Sequence, residues 1–205
     1  MKRTICLITA ILMLLGMCGC SAPDKEDVLG QWQATMNHAD YFNDSLLANY
    51  PEMASYWNIS EFNLVMDFTF WDDGTFIASA NRDALTVAFE KLKMELGAGY
   101  VRYAIDTGKL DGGALDDAAL AAIMDELIGE NFYYAIAFET EIAGQFKVED
   151  GKLYASNDLS IAPPTDCYEV LELKNGDLIL KEYVGAEDGG IAAGFYPLTL
   201  TRKMD

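Results

Sequence analysis

Two hydrophobic rhythms divide the chain. The first has period two. Phe62, Leu64, Met66, Phe68 and Phe70 fall on one face, with Asn63, Asp67 and Thr69 on the other. Leu198, Leu200 and Arg202 share a face, with Thr199 and Thr201 opposite. Such alternation marks strands with one buried side. Tight-turn signals separate the runs: Asp72-Asp73-Gly74, Glu149-Asp150-Gly151 and Lys174-Asn175-Gly176. Asp-Gly and Asn-Gly supply the positive φ angles of hairpin turns. Eight strands are expected: Val28–Met36, Phe62–Trp71, Thr75–Ala80, Gln145–Val148, Lys152–Ser156, Cys167–Leu173, Asp177–Val184 and Phe195–Lys203.

The second rhythm is helical and occupies two intervals. Residues 38–60 carry Asp40-Tyr41-Phe42-Asn43 and Leu46-Leu47, a short helix before Pro51. Residues 82–140 form a helical insert between the third and fourth strands. Leu85, Phe89, Leu92 and Leu96 recur at helical spacing, with Asp83 as the expected cap. Gly97 and Gly99 are expected to weaken the helix beyond Leu96. Asp116 can cap a second helix with the stripe Leu120, Ile123, Met124 and Leu127. A third is placed from Asn131 through Phe138, where Phe132–Phe138 reads equally as a strand. These stripes are read as packing surfaces. The pattern reads as mainly β with an α insertion, in a single domain over 28–205. A closed barrel of eight strands leaves no free sheet edge and has room for side chains or one small ligand.

The beginning of the chain follows a different pattern. Lys2 and Arg3 precede an uncharged run, Ile5 to Met17, which closes on Met17-Cys18-Gly19-Cys20-Ser21. A basic head, a short apolar middle and a small-residue end make an export signal. The run is shorter than the roughly 20 residues a membrane-spanning helix needs. Met17-Cys18-Gly19-Cys20 resembles the lipobox of bacterial lipoproteins, although Met17 is off-consensus. That resemblance implies a signal over 1–19, cleavage before Cys20 and diacylglycerol on its sulfur. Residues 20–27 then read as a polar tether. The expected location is outside the cytoplasm, on the cell membrane.

Charge and cysteine usage narrow the picture further. The net charge is −19, and losing Lys2 and Arg3 with the signal takes it to −21. Nucleic acid is excluded as a partner, because phosphate binding needs clustered Lys and Arg. An acidic surface also disfavours lying flat on an anionic bilayer and keeps a tethered protein soluble. Of four cysteines, Cys6 and Cys18 leave with the signal and Cys20 is acylated. Cys167 remains alone, so no intrachain disulfide forms in the mature protein.

Gly30-Gln31-Trp32 opens the first strand and Arg202 ends the last. Between them stand Phe68, Asp73-Gly74-Thr75-Phe76, Gly144, Phe146 and Val148, then Leu198-Thr199-Leu200-Thr201-Arg202. This set resembles the lipocalin and lipocalin-like group, and in particular small lipocalin-like bacterial lipoproteins. The resemblance implies an eight-stranded antiparallel lipocalin-like barrel that begins at Gly30 and Trp32, with Arg202 covering the indole. It covers most of the mature chain outside the insert. The strand pattern supports the pairing independently, because Arg202 shares a face with Leu198 and Leu200. Stacking a guanidinium on an indole contributes roughly 0.5–2 kcal/mol.

Motifs for chemistry are sparse. One histidine, His38, and one free thiol cannot build a usual zinc site. Asp106-Thr107-Gly108 looks like an aspartic-protease tripeptide, but Lys109 follows and no second copy exists. The acids at 106, 111, 116 and 117 miss the EF-hand spacing, and Glu187-Asp188-Gly189-Gly190 reads as a solvated loop. No catalytic residue, metal or cofactor is expected. Three functions are carried forward. The first is a lipid-anchored barrel holding a small apolar ligand, supported by Tyr56, Trp57, Trp71, Tyr100 and Tyr103. The second is a module that binds a protein partner through the insert. The third, ranked last, is an extracytoplasmic hydrolase.

Anchoring through two acyl chains is stable, while one chain binds marginally. Cys20→Ser is therefore expected to move the protein from the membrane pellet to the soluble fraction. Unchanged membrane association of this variant contradicts the lipoprotein reading.

Overall fold

The computed structural model describes residues 22–110, 116–128, 133–134, 136–137, 140–185, 190–191 and 195–203, without the side chains of Ser45, Asp117 and Leu127. The leader with Cys20, Asp111 and residues 187–189 lie outside the described residues. Eight strands close into an antiparallel barrel in sequence order. They are β1 (Gly30–Asn37), β2 (Asn63–Phe70), β3 (Thr75–Ala80), β4 (Ile142–Glu149), β5 (Lys152–Ser156), β6 (Tyr168–Lys174), β7 (Asp177–Val184) and β8 (Leu198–Arg202). All eight expected strands are present. β4 starts three residues earlier than the alternation implied, because Ile142, Ala143 and Gly144 pair with Ala78, Ile77 and Phe76.

The connections sort to opposite ends. The tight turns after β2, β4 and β6 share one end, the base, with the start of β1 and the finish of β8. Two of these turns carry consecutive positive φ angles, 52° and 71° at Asp150 and Gly151, 57° and 90° at Asn175 and Gly176. That is the type I′ geometry that matches strand twist. All the long connections, including the insert, lie at the other end, the mouth.

Four helices are described: α1 (Lys25–Val28), α2 (Ala39–Asn49), α3 (Arg82–Asp106) and α4 (Asp117–Ile128). The segment read as a tether contains the helical turn α1, capped by Asp24. Asp24 accepts hydrogen bonds from the amides of Glu26 and Asp27, and the Asp27 carboxylate accepts one from the Asp24 amide, a complete capping box. α3 is capped by Asn81 and not by Asp83, which sits in its first turn. Asn81 Oδ1 accepts from the Ala84 amide at 3.0 Å while Nδ2 donates to Asp67 at 2.9 Å. The cap thus also ties the helix to β2. Asp116 caps α4 as expected, accepting from the Ala119 amide at 2.7 Å. Of the expected third helix, residues 133–134 and 136–137 are helical, and Asn131 and Phe138 lie outside the described residues.

Gly97 and Gly99 do not interrupt α3, which continues to Asp106. The helix packs closely there. A Cβ at Gly99 would stand 2.5 Å from Trp57 Cδ1 and 2.6 Å from the Tyr56 carbonyl oxygen. The intrinsic helix penalty of glycine, about 1 kcal/mol, is offset by that approach. Gly99→Ala is therefore expected to destabilise the protein by roughly 1–3 kcal/mol in urea unfolding, despite alanine's better helix propensity. A gain in stability would show that the contact is not tight.

Candidate functional site

At the base, Gly30, Trp32 and Arg202 come together. β1 and β8 set Trp32 directly opposite Arg202. The guanidinium carbon lies 4.4 Å from the centre of the indole. Gly30 has φ +113°, and a Cβ there would come within 3.2 Å of Arg202 Nη1. The glycine therefore leaves room for the arginine as well as allowing the turn into the strand. Trp32 Nε1 donates to the Val28 carbonyl at 2.7 Å, which fastens α1 beneath the barrel. Trp32 is fully buried and Arg202 remains exposed. The strand ends at Arg202, so its charge keeps water while its plane covers the ring.

Above this floor the interior is occupied. Phe70 meets Phe76 and Phe146 at 5.8 and 5.0 Å between ring centres. Leu173, at the base end of β6, is 42% exposed, and Ile142 and Val148 of β4 are partly buried. Ala34, Met66, Ala78, Phe146, Leu153, Leu171, Leu180 and Leu200, from all eight strands, are no more than 5% exposed. Side chains that line a void wide enough for water present surface to it. These present almost none. Phenylalanine, leucine and methionine side chains occupy the space inside the barrel.

The mouth is covered by the helical connections. Leu85, Phe89, Leu92 and Leu96 of α3 are all buried and belong to the same core as the barrel. Trp57 Nε1 donates to the Leu96 carbonyl at 2.9 Å. Asn43 clamps the chain below it, donating to the Ile59 carbonyl at 2.8 Å and accepting from the Ile59 amide at 2.9 Å. Tyr56, Trp57, Tyr100 and Tyr103 do gather, with ring centres of Tyr56 and Tyr103 5.4 Å apart and of Tyr100 and Tyr103 6.3 Å apart. They join α3 to the loop after α2, where Tyr56 and Trp57 line a pocket of about 330 Å³ with Glu95, Leu96 and Arg102. Trp71 is exposed in the base turn, at the opposite end.

The remaining candidates are placed apart. His38 packs on Phe195 with ring centres 4.4 Å apart, and burial pushes its pKa down. Cys167 is half-buried and its thiol reaches Asp166 at 3.4 Å. The Asp106-Thr107-Gly108 tripeptide ends α3: Gly108 turns with φ +67° and the Lys109 amide donates to the Ala104 carbonyl at 2.8 Å. No group of three metal-ligating side chains occurs among the described residues.

Three features escaped the sequence reading. Glu169 is 1% exposed on the inward face of β6, near the mouth. Its Oε1 accepts from the Ile191 amide at 2.6 Å and from the Tyr196 hydroxyl at 2.7 Å. Charge-assisted bonds of this kind offset the cost of burying a carboxylate, and here they pin the β7–β8 connection. Its position on the same alternating face as Leu171 was the available signal. The second feature is the outward side of α3, where Val87, Met94 and Ile105 are exposed at 72%, 70% and 48%. The third is a cleft of about 640 Å³ on the barrel wall between β1 and β8.

No family model, curated protein or solved structure matches the chain.

The floor of the barrel gives a direct prediction. A double-mutant cycle with Trp32→Phe and Arg202→Ala is expected to show a coupling of about 0.5–1 kcal/mol in unfolding free energy, the value for a cation over an indole at an exposed site. Additive effects of the two substitutions would show that the guanidinium and the indole do not interact.

Proposed function

We propose that the protein is a lipid-anchored, extracytoplasmic and non-enzymatic binding module that takes an amphipathic helix of a protein partner on the outward face of α3. The carrying observation is a second, largely apolar stripe on that helix, interrupted by Lys91, which pairs with Glu61 at 2.6 Å. Leu85, Phe89, Leu92 and Leu96 face the barrel. Val87, Lys91, Met94, Ala98, Val101 and Ile105 follow one another at alternating intervals of four and three. That spacing is the a/d seam of a coiled coil. At 1.5 Å per residue the seam runs about 27 Å. Its residues are exposed apart from Val101, which is partly covered. Glu90 and Arg102 flank the seam and carry opposite signs, as the rim of a helix–helix interface does.

The filled interior supports this reading over a small apolar ligand, because binding surface remains only outside. The placement of the chain's two ends supports it also. Ala22 lies beside Gly151 in a base turn, while α3 springs from the mouth. A membrane anchor on Cys20 therefore leaves from the base, and the seam belongs to the end turned away from the membrane. The barrel itself fits a lipocalin-like binding fold, with the insert as its distinguishing surface.

Replacing Val87 and Met94 together by glutamate tests the proposal. Exposed substitutions of this kind change stability by no more than about 0.5 kcal/mol, so thermal unfolding is expected to stay the same. A photo-crosslinker at Ala98 is expected to capture one protein partner in cells with the parent chain and to lose it with the double variant. Capture that survives both substitutions would rule out the seam as the interface.

A further inference from the structure

We infer that the cleft between β1 and β8 is a strand-addition site that takes a short extended peptide carrying an acidic residue at its C-terminal end. Ladder pairing between these strands joins Trp32 to Arg202 and Gln33 to Thr201, both near the base. Toward the mouth the two strands keep their other neighbours: β1 stays paired with β2 as far as Asn37, and β8 pairs with β7 from Leu198 to Leu200. Between them they are not paired. The barrel wall is therefore closed at the base and split toward the mouth, and the cleft lies in the split.

The direction of the free backbone groups is set by the register. The Lys203 amide donates to the Gln31 carbonyl at 3.0 Å, across the seam. The His38 amide donates to the Phe62 carbonyl at 2.9 Å, on the other side of β1. Successive residues of a strand direct their amides and carbonyls to opposite neighbours. Odd-numbered residues of β1 thus address the seam and even-numbered ones address β2. The amides and carbonyls of Thr35 and Asn37 point into the split, and those of Thr199 do so from β8. An edge of this kind pairs with an extended chain. The unpaired stretch of β1, Ala34 to Asn37, accommodates four residues, about 13 Å of strand.

The lining sets the chemistry of the occupant. The charged side chains among the lining residues are Arg202 and Lys203, both cationic and both at the base end. Lys203 reaches Asp67 at 3.2 Å yet remains exposed. At the mouth end Phe195 and Pro197 supply an apolar patch beside Asn37 and Thr199. A peptide antiparallel to β1 runs from mouth to base. It therefore places an aromatic or aliphatic residue first and its carboxylate last, against the two cations. This surface shares no residue with the α3 seam, so either can fail without the other.

The test uses the mature protein and a fluorescein-labelled hexapeptide, Phe-Thr-Val-Thr-Val-Asp, read by fluorescence anisotropy. Saturable binding is expected, with slower amide exchange at Thr35 and Asn37 in the complex. A peptide ending in lysine, and one N-methylated at alternate amides on the pairing edge, are each expected to bind at least about tenfold more weakly. Thr35→Pro removes an amide that no strand uses, so it is expected to weaken binding by a similar factor while thermal unfolding is unchanged. Absence of saturable binding overturns the inference. So does equal binding of the N-methylated peptide, a result that holds even if the proline variant fails to fold.

Discussion

The inside of this barrel is already occupied by the chain that forms it. Period-two alternation sends one side chain in every two to the interior, and eight strands of that pattern meet there. When those side chains are Trp32, Phe68, Phe70, Phe76, Leu153, Leu178 and Leu200, almost no surface inside faces water. Close packing of this kind stabilises the fold and removes the cup. The proposed contacts therefore lie outside: on the helices over the mouth, and at the seam where β1 and β8 pair over two residues near the base.

The two ends of the molecule do different work. The base is assembled from local rules: type I′ turns, a capping box at Asp24, and the indole of Trp32 under the plane of Arg202. The mouth is assembled from long connections, which are longer than a closed barrel needs and carry a core of their own. Asn43, Asn81 and Trp57 fasten these connections through single side chains that satisfy main-chain groups at a distance. The acidic surface surrounds both ends. At a net charge of −19, Arg202 and Lys203 stand together beside the split seam, Lys203 balanced by Asp67 at 3.2 Å.

How far the fold could be read from the sequence depends on the range of each interaction. Strands announced themselves because alternation and turn residues are local. The association of Gly30, Trp32 and Arg202 was expected from the resemblance, with the strand face of Arg202 in support, yet the exposure of Arg202 was not legible, because it depends on where β8 stops. Asn81 displaced Asp83 as the cap of α3 because Asn81 also bonds Asp67 on β2, a tertiary contact. Gly99 looked like a helix breaker until Trp57 and Tyr56, some forty residues earlier in the chain, came against it. The outward stripe of α3 was hidden for another reason. Two apolar faces on opposite sides of one helix blur the contrast by which an amphipathic face is recognised. The split between β1 and β8 has no local signature at all, since it is a matter of register between the first strand and the last.

The filled interior is the claim on which the outward reading rests, and xenon measures it directly. Xenon enters dry apolar cavities in protein cores. Crystals of the mature protein held under xenon pressure are expected to show none inside the barrel between Trp32 and Phe62. Xenon density bounded by Phe68, Phe76 and Leu180 would reveal a ligand-sized cup and contradict the claim.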